Sequence, residues 1–168
     1  MTLRNFLLDL FPRIMWIVQV VVIIIVSKAV LKEGFELVND VLLLAISFVL
    51  ITAGVTLFCW SQYYLFRHWK RFIPTKVVRE GPFRWIRHPV YVGLYAVILG
   101  FGLLLSSFAA AFTVSACFLP FWIFQSLFEE QQMIELFGDD YQQYKSDVGM
   151  FFPKIRRRKE MLISSNNS

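Results

Sequence analysis

Cysteine and histidine are scarce in this chain, with two of each among 168 residues. Cys59 and Cys117 both fall inside long apolar runs and form no Cys-x-x-Cys pair, so they read as small packing residues and not as a redox or metal motif. His68 and His88 have no cysteine or histidine cluster around them, which excludes the usual zinc ligand sets. Charge is scarce too. Asp, Glu, Lys and Arg make up 17% of the chain, against about 25% in an average soluble domain. No lysine or arginine occurs between Pro89 and Glu130. There is no internal repeat, and the one low-complexity stretch is the Ser/Asn-rich end at 164–168, which is expected to fray.

What the chain has instead is apolar surface, at 57% of its residues. Crossing a bilayer core takes about 20 mainly apolar residues, and four runs approach that: 14–31, 41–65, 90–105 and 109–128. The first is broken only by Gln19, Ser27 and Lys28, and no small-residue cleavage site follows it, so a cleaved signal peptide fits it poorly. Backbone inside lipid must satisfy its own hydrogen bonds. The expected fold is therefore all-α, a polytopic transmembrane bundle of about four spans. It reads as a single membrane domain over 1–168, with a helix pair at 1–66, an interfacial segment at 67–89, a second helix pair at 90–137 and a tail at 138–168.

Charge orients this bundle. Arg67, Lys70, Arg71, Lys76, Arg79, Arg84 and Arg87 face Glu80 alone in the central segment, and the tail carries Lys154 and a basic run at 156–159. The 28–40 loop has two lysines against Glu33, Glu36 and Asp40. Positive loops are cytoplasmic, so both termini and the central segment are expected on that side. The net charge of +5 sits at the ends of spans, where anionic headgroups explain it better than nucleic acid does. No nucleic-acid partner and no obligate protein partner are implied.

The most informative stretch runs from Arg79 to Gly93. Its aromatic residues Phe83 and Trp85, with Trp69 and Phe72 before them, mix with cations as in a segment lying along an interface. Pro89 is placed as the first residue of a helix. Arg87 and His88 then sit at the positive end of the helix dipole, where something anionic should offset them: a lipid phosphate or a ligand carboxylate. Glu129 and Glu130 lie where the last apolar run ends, either solvated at the interface or part of a site. A tight turn near Ser106 and Ser107 makes the third and fourth helices antiparallel, which brings Glu129 and Glu130 beside His88 and Tyr91. That would make a polar cup of both charge signs, suited to a zwitterion. The fourth helix should continue to Phe137, kinked at Pro120 and stopped by Gly138. Tyr141 and Tyr144 share one face of a tail helix and either close the cup or pack at the interface, while Asp139 and Asp140 read as solvated.

Two blocks in this half carry a resemblance. Gly81-Pro82-Phe83-Arg84 through Arg87-His88-Pro89-Val90-Tyr91-Val92-Gly93 is one. Glu129-Glu130 followed by Phe137-Gly138-Asp139-Asp140-Tyr141-Gln142-Gln143-Tyr144 and Phe152-Pro153 is the other. Together, over about 75–153, they resemble the isoprenylcysteine carboxyl methyltransferase and phospholipid methyltransferase superfamily of integral membrane enzymes. The resemblance implies an S-adenosylmethionine pocket on the cytoplasmic side, formed by the C-terminal half. Its cofactor contacts would be Thr75, Lys76, Val77, Val78, Phe83, Arg87, His88, Pro89, Val90, Tyr91 and Glu129. His88 and helix N–H groups would meet the cofactor carboxylate, and Glu129 its amine or ribose hydroxyls. The acceptor would be a lipid or lipidated small molecule of the membrane. A carboxylate acceptor needs no base, whereas an amine needs one, for which Glu130 or Tyr91 are the candidates.

The sequence departs from the isoprenylcysteine enzymes at one place that matters. The position four residues before Glu129, where they carry an arginine for the substrate carboxylate, is Gln125 here. A neutral amide in the acceptor site favours an uncharged or amine-bearing lipid. Gly149 also stands where many relatives have proline, a change expected to alter only the path of the tail. Two other classes stay open at this level: a nicotinamide-dependent membrane reductase of the sterol-reductase type, and a non-catalytic protein on the same bundle.

Overall fold

The computed structural model describes residues 38–70, 73–105 and 108–154, with Val21. The rest of the first apolar run, the loop before residue 38 and the basic tail past 154 lie outside the described residues. Four helices form the body: α1 (Val41–His68), α2 (Pro89–Leu104), α3 (Phe108–Phe137) and α4 (Asp139–Asp147). Between α1 and α2 come a two-residue antiparallel ribbon, β1 (Trp69–Lys70) with β2 (Ile73–Pro74), and a 3-10 turn at Gly81–Arg84. Sequence patterning anticipated no strand there. The ribbon is anchored by Thr75, whose N–H and hydroxyl both donate to the His68 carbonyl, at 3.2 and 2.7 Å.

α1 starts where Asp40 accepts the Leu43 N–H at 2.9 Å, an N-cap that satisfies one of the helix's orphan donors. Its surface is inverted relative to a helix in water. Leu42, Phe48, Val49, Val55 and Phe66 are exposed, while Ser47, Gly54 and Ser61, at seven-residue spacing, are buried. The two serine hydroxyls donate back to the Leu43 and Leu57 carbonyls at 2.7 and 2.6 Å, so neither is left unpaired in an apolar seam. α2 meets this stripe with Gly93 and Gly100, again seven residues apart. A Cβ on Gly93 would lie 2.8 Å from the Gly54 carbonyl oxygen, and one on Gly100 would lie 2.9 Å from that of Ser47. Small residues on both helices thus let the backbones touch, the packing used where lipid gives no hydrophobic drive between helices. The Val38 N–H closes the far end on the Leu104 carbonyl at 3.0 Å, fixing α1 and α2 antiparallel.

Among the described residues α1 is the one helix long and apolar enough to cross a membrane; α2, at 16 residues, is apolar but shorter. α3 runs through Pro120 and past the apolar run to Phe137, the extent the sequence predicted. Gly138, at φ +55°, ends it, and its N–H donates to the Ile134 carbonyl at 2.8 Å. α4 then turns Tyr141 and Tyr144 inward onto Val77, Met133, Ile134 and Phe137. In the segment before α2, Val77, Val78 and Phe83 are buried, whereas Trp85 is exposed and edge-on to Trp60 at 5.9 Å.

Candidate functional site

The site begins with two backbone devices that hold the start of α2. Gly81, at φ +57°, makes the turn, and a Cβ there would collide with the Tyr64 ring. Pro89 is the first helical residue, as its missing N–H allows. The two N–H groups before it are taken by the tail: Arg87 donates to the Gly149 carbonyl at 2.9 Å and His88 to that of Met150 at 3.1 Å. These amides are therefore not available to a ligand. Gly149 shapes more than the path of the tail, because a Cβ there would collide with the Phe152 carbonyl and displace the bond to Arg87.

The anion expected beside Arg87 and His88 comes from the chain itself. Glu130 is 1% exposed. Its Oε1 lies 3.1 Å from Arg87 Nη2 and 3.3 Å from His88 Nε2, and its Oε2 lies 2.9 Å from Lys145 Nζ. Arg87 also donates from Nη1 to the Lys145 carbonyl at 3.3 Å. Glu130 lies past the 109–128 apolar run. Burial works against its charge, but His88, Lys145 and Arg87 outweigh that and hold its carboxyl below the usual carboxylate range. One carboxylate thus joins the start of α2, α3 and α4.

Glu129, its neighbour, turns the other way. Its Oε1 accepts from the Tyr91 hydroxyl and from Gln125 Nε2 at 3.1 Å, and His88 Nδ1 lies 3.7 Å from Oε2. The rings behind it form a continuous stack. His88 lies 5.8 Å from Tyr91 at 23°, and Tyr91 lies 6.0 Å from Trp122 at 20°. In front of Glu129 is a cavity of about 540 Å³. Tyr141 and Tyr144 close it from the α4 side; burial pushes both phenols well above their ordinary value, so they stay neutral, and Tyr144 donates to the Phe83 carbonyl at 2.7 Å. Arg79 ties α4 from outside, donating to the Asp140 carboxylate at 2.7 Å. Asp140 therefore sits at the surface in an ion pair, as does Glu80, whose carboxyl is lowered by its hydrogen bond to Lys76.

The sequence-predicted residues divide clearly. Lys76, Val77, Val78, Phe83, Arg87, His88, Pro89, Val90, Tyr91, Gln125 and Glu129 all line this one cavity. Thr75 does not, its hydroxyl being held by His68, and neither does Glu130, which stands behind Arg87 and His88. The sequence reading missed the wall from α1, formed by Phe58, Gln62 and Leu65, and the part of α3 past Glu130, with Gln132 and Met133. A signal existed for the first. Gln62 is an amide within an apolar run, and it shares a helix face with Phe58 and Leu65 at i, i+4, i+7 spacing.

The amino-acid sequence has counterparts among known proteins. Residues 41–140 match the Phospholipid methyltransferase family, and the chain belongs to it. It is 33% identical over 79 residues to a protein-S-isoprenylcysteine O-methyltransferase of Schizosaccharomyces pombe, covering 47% of this chain and 34% of that one. It is 38% identical over 77 residues to a methanethiol S-methyltransferase of Bradyrhizobium diazoefficiens, covering 42% and 24%. A protein-S-isoprenylcysteine O-methyltransferase of Saccharomyces cerevisiae is 32% identical over 79 residues, covering 47% and 33%. The chain thus spans about a third or less of the length of these curated relatives.

Proposed function

We propose that this chain is an S-adenosylmethionine-dependent methyltransferase acting on a membrane-embedded lipid or lipidated small acceptor. The observation that carries the reading is the contact of Tyr91 with Glu129 at the cavity wall, which unites the two sequence blocks around one ligand-sized space. Family membership supports methyl transfer as the chemistry. The relatives' names include both O- and S-methyltransferases.

The residues fit the cofactor. A cavity of about 540 Å³ is within the usual range for small-molecule sites. Val77, Val78, Phe83 and Met133 give it apolar surface for a purine, and Glu129 gives it an anionic acceptor for an amine or ribose hydroxyls. When bound, S-adenosylmethionine supplies a methyl group already activated by its sulfonium. The chain's task is then to align and to exclude water. Glu129 is oriented for this by Tyr91, Gln125 and His88. Tyr141 and Tyr144 close the α4 side as neutral walls. Glu130 has its oxygens engaged by Arg87, His88 and Lys145, and serves as the anchor of the site.

Topology follows from charge. We place the segment holding Lys76 to Arg87 and both termini on the cytoplasmic side of several spans, so that the cofactor enters from water and the acceptor from lipid.

The test is binding of S-adenosylhomocysteine to purified protein, read as a thermal shift. Saturation at 100 times Kd is expected to add about 2.7 kcal/mol to stability. Glu129→Gln is expected to abolish the shift while the unliganded protein stays folded. A shift with NADPH and none with the methyl-donor analogue would replace this reading with the reductase, and silence with both would favour a non-catalytic bundle.

A further inference from the structure

The cavity has a side that the cofactor residues do not account for. α1 faces it with Phe58, Gln62 and Leu65, which lie along one stripe of a helix otherwise surrounded by apolar exposed residues. Four hydroxyls on this helix, those of Ser47, Thr52, Thr56 and Ser61, bond back to carbonyls three or four residues earlier. Gln62 has no such outlet, and its side-chain amide has no partner among the described residues. A polar group at this position in an apolar helix has to find a partner, and the cavity is where it lies.

Charge narrows what that partner is. Of the cations lining the cavity, Lys76 is held by Glu80 at 2.9 Å and Arg87 by Glu130 at 3.1 Å. His88 stands between Glu129 and Glu130. The carboxylate left facing the space is that of Glu129. A second anion entering there would meet like charge with each neighbouring cation already paired. An amide, by contrast, offers one donor side and one acceptor side with no charge.

We propose that Phe58, Gln62 and Leu65 form the acceptor subsite, and that Gln62 selects an amphiphile whose head is hydrogen-bonding and carries no negative charge. The chain of the amphiphile lies on Phe58 and Leu65, and its head meets Gln62. Placement of this wall is set by Gly93, where a Cβ would come within 3.0 Å of the Phe58 nitrogen. The same close approach that packs α1 on α2 puts the stripe on the cavity that Tyr91 also lines. This inference rests on the methyltransferase reading for its name as an acceptor site, but the binding it describes does not.

The experiment uses the full chain in nanodiscs and two photoreactive probes with the same diazirine-bearing C12 chain, one ending in an alcohol and one in a carboxylate. The alcohol is expected to label the α1 peptide containing Phe58 to Leu65 saturably, with half-saturation at least fivefold below that of the carboxylate. Gln62→Leu should raise the alcohol's half-saturation about fivefold, the loss of one net hydrogen bond, and leave the S-adenosylhomocysteine shift intact. Gln62→Arg should reverse the preference toward the carboxylate. Equal or tighter labelling by the carboxylate in the wild type would overturn the proposal, as would Gln62→Leu leaving the alcohol unaffected. Loss of S-adenosylhomocysteine binding in folded Gln62→Leu would also overturn it by assigning Gln62 to the donor half. If the wild type binds no S-adenosylhomocysteine yet labels as expected, the methyltransferase reading fails and the amphiphile site stands.

Discussion

The Tyr91 hydroxyl donates to the Glu129 carboxylate, a contact that helps fasten the first turn of α2 to α3. The two residues are 38 positions apart. Gln125, one turn before Glu129 on the same helix, supplies the second hydrogen bond to the same oxygen. The carboxylate that faces the cavity is therefore aimed by neighbours from two elements.

Removing the phenol oxygen tests that arrangement. In Tyr91→Phe the ring still stacks between His88 and Trp122, so packing is conserved and only the hydrogen bond is lost. A hydrogen bond to a charged group contributes about 1.5–3 kcal/mol. S-adenosylhomocysteine affinity is expected to fall about tenfold or more, measured by titration, with a small change in unfolding temperature. Unaltered affinity would mean that the Tyr91 bond does not orient the group that holds the cofactor.

Glu130 predicts the opposite balance, stability before affinity. Its carboxyl is held below the ordinary value of 4.5 by His88, Lys145 and Arg87 despite burial. A carboxyl lowered on folding contributes stability that is fully present above its unfolded value. That contribution is lost as pH falls through the lower folded value. The wild type is therefore expected to lose stability below about pH 4.5. Glu130→Gln should be destabilised by about 3 kcal/mol or more at neutral pH, since it leaves the buried Arg87 without its charged partner. Its acid limb should be flatter. Unfolding midpoints between pH 3 and pH 7 for both proteins check this, and parallel curves would show that Glu130 is not the titrating anchor.

How much of this was legible in the sequence follows from the range of each interaction. Pro89 at the helix start, Gly138 at the end of α3 and the tyrosine face of α4 follow from local rules of backbone and periodicity, which the sequence alone carries. The meeting of Tyr91 with Glu129 needed only a tight turn between two helices. The identity of the anion beside Arg87 did not follow, because Glu129 and Glu130 are adjacent and only helical phase decides which one turns inward. Nor did the tail's role follow. The Gly149 and Met150 carbonyls reach Arg87 and His88 by a bend whose geometry depends on Phe152. The α1 wall was missed because seven-residue spacing of Ser47, Gly54 and Ser61 identifies the face that packs on α2, whereas the cavity face carries only one polar residue, Gln62.

Lys145 should behave as a tie and not as part of the cavity. Its side chain is 41% exposed, yet its ammonium reaches the buried Glu130 at 2.9 Å. Lys145→Met removes one of the three basic side chains around that carboxylate and loosens α4 where Tyr141 and Tyr144 close the site. The expected result is a few-fold weaker S-adenosylhomocysteine binding, faster hydrogen exchange in α4, and recovery of both in Lys145→Arg. No recovery by arginine would show that bulk and not charge joins α4 to α3.

Two glycines separate steric from conformational requirements. At Gly93 the backbone is an ordinary helix, but an added Cβ would lie 2.8 Å from the Gly54 carbonyl oxygen, an atom that cannot rotate away. Gly93→Ala must push α1 off α2 and is expected to cost about 1–3 kcal/mol. It should also weaken probe labelling at Phe58, whose nitrogen is the next nearest atom. At Gly138 the space is open, with nothing within 4 Å of a Cβ, and only the φ of +55° resists a side chain. Gly138→Ala should therefore cost about 1–3 kcal/mol while leaving the α1 wall and its labelling unchanged. If Gly138→Ala altered labelling at α1 as much as Gly93→Ala does, the site would respond to stability in general, and the close approach of α1 to α2 would not be what sets it.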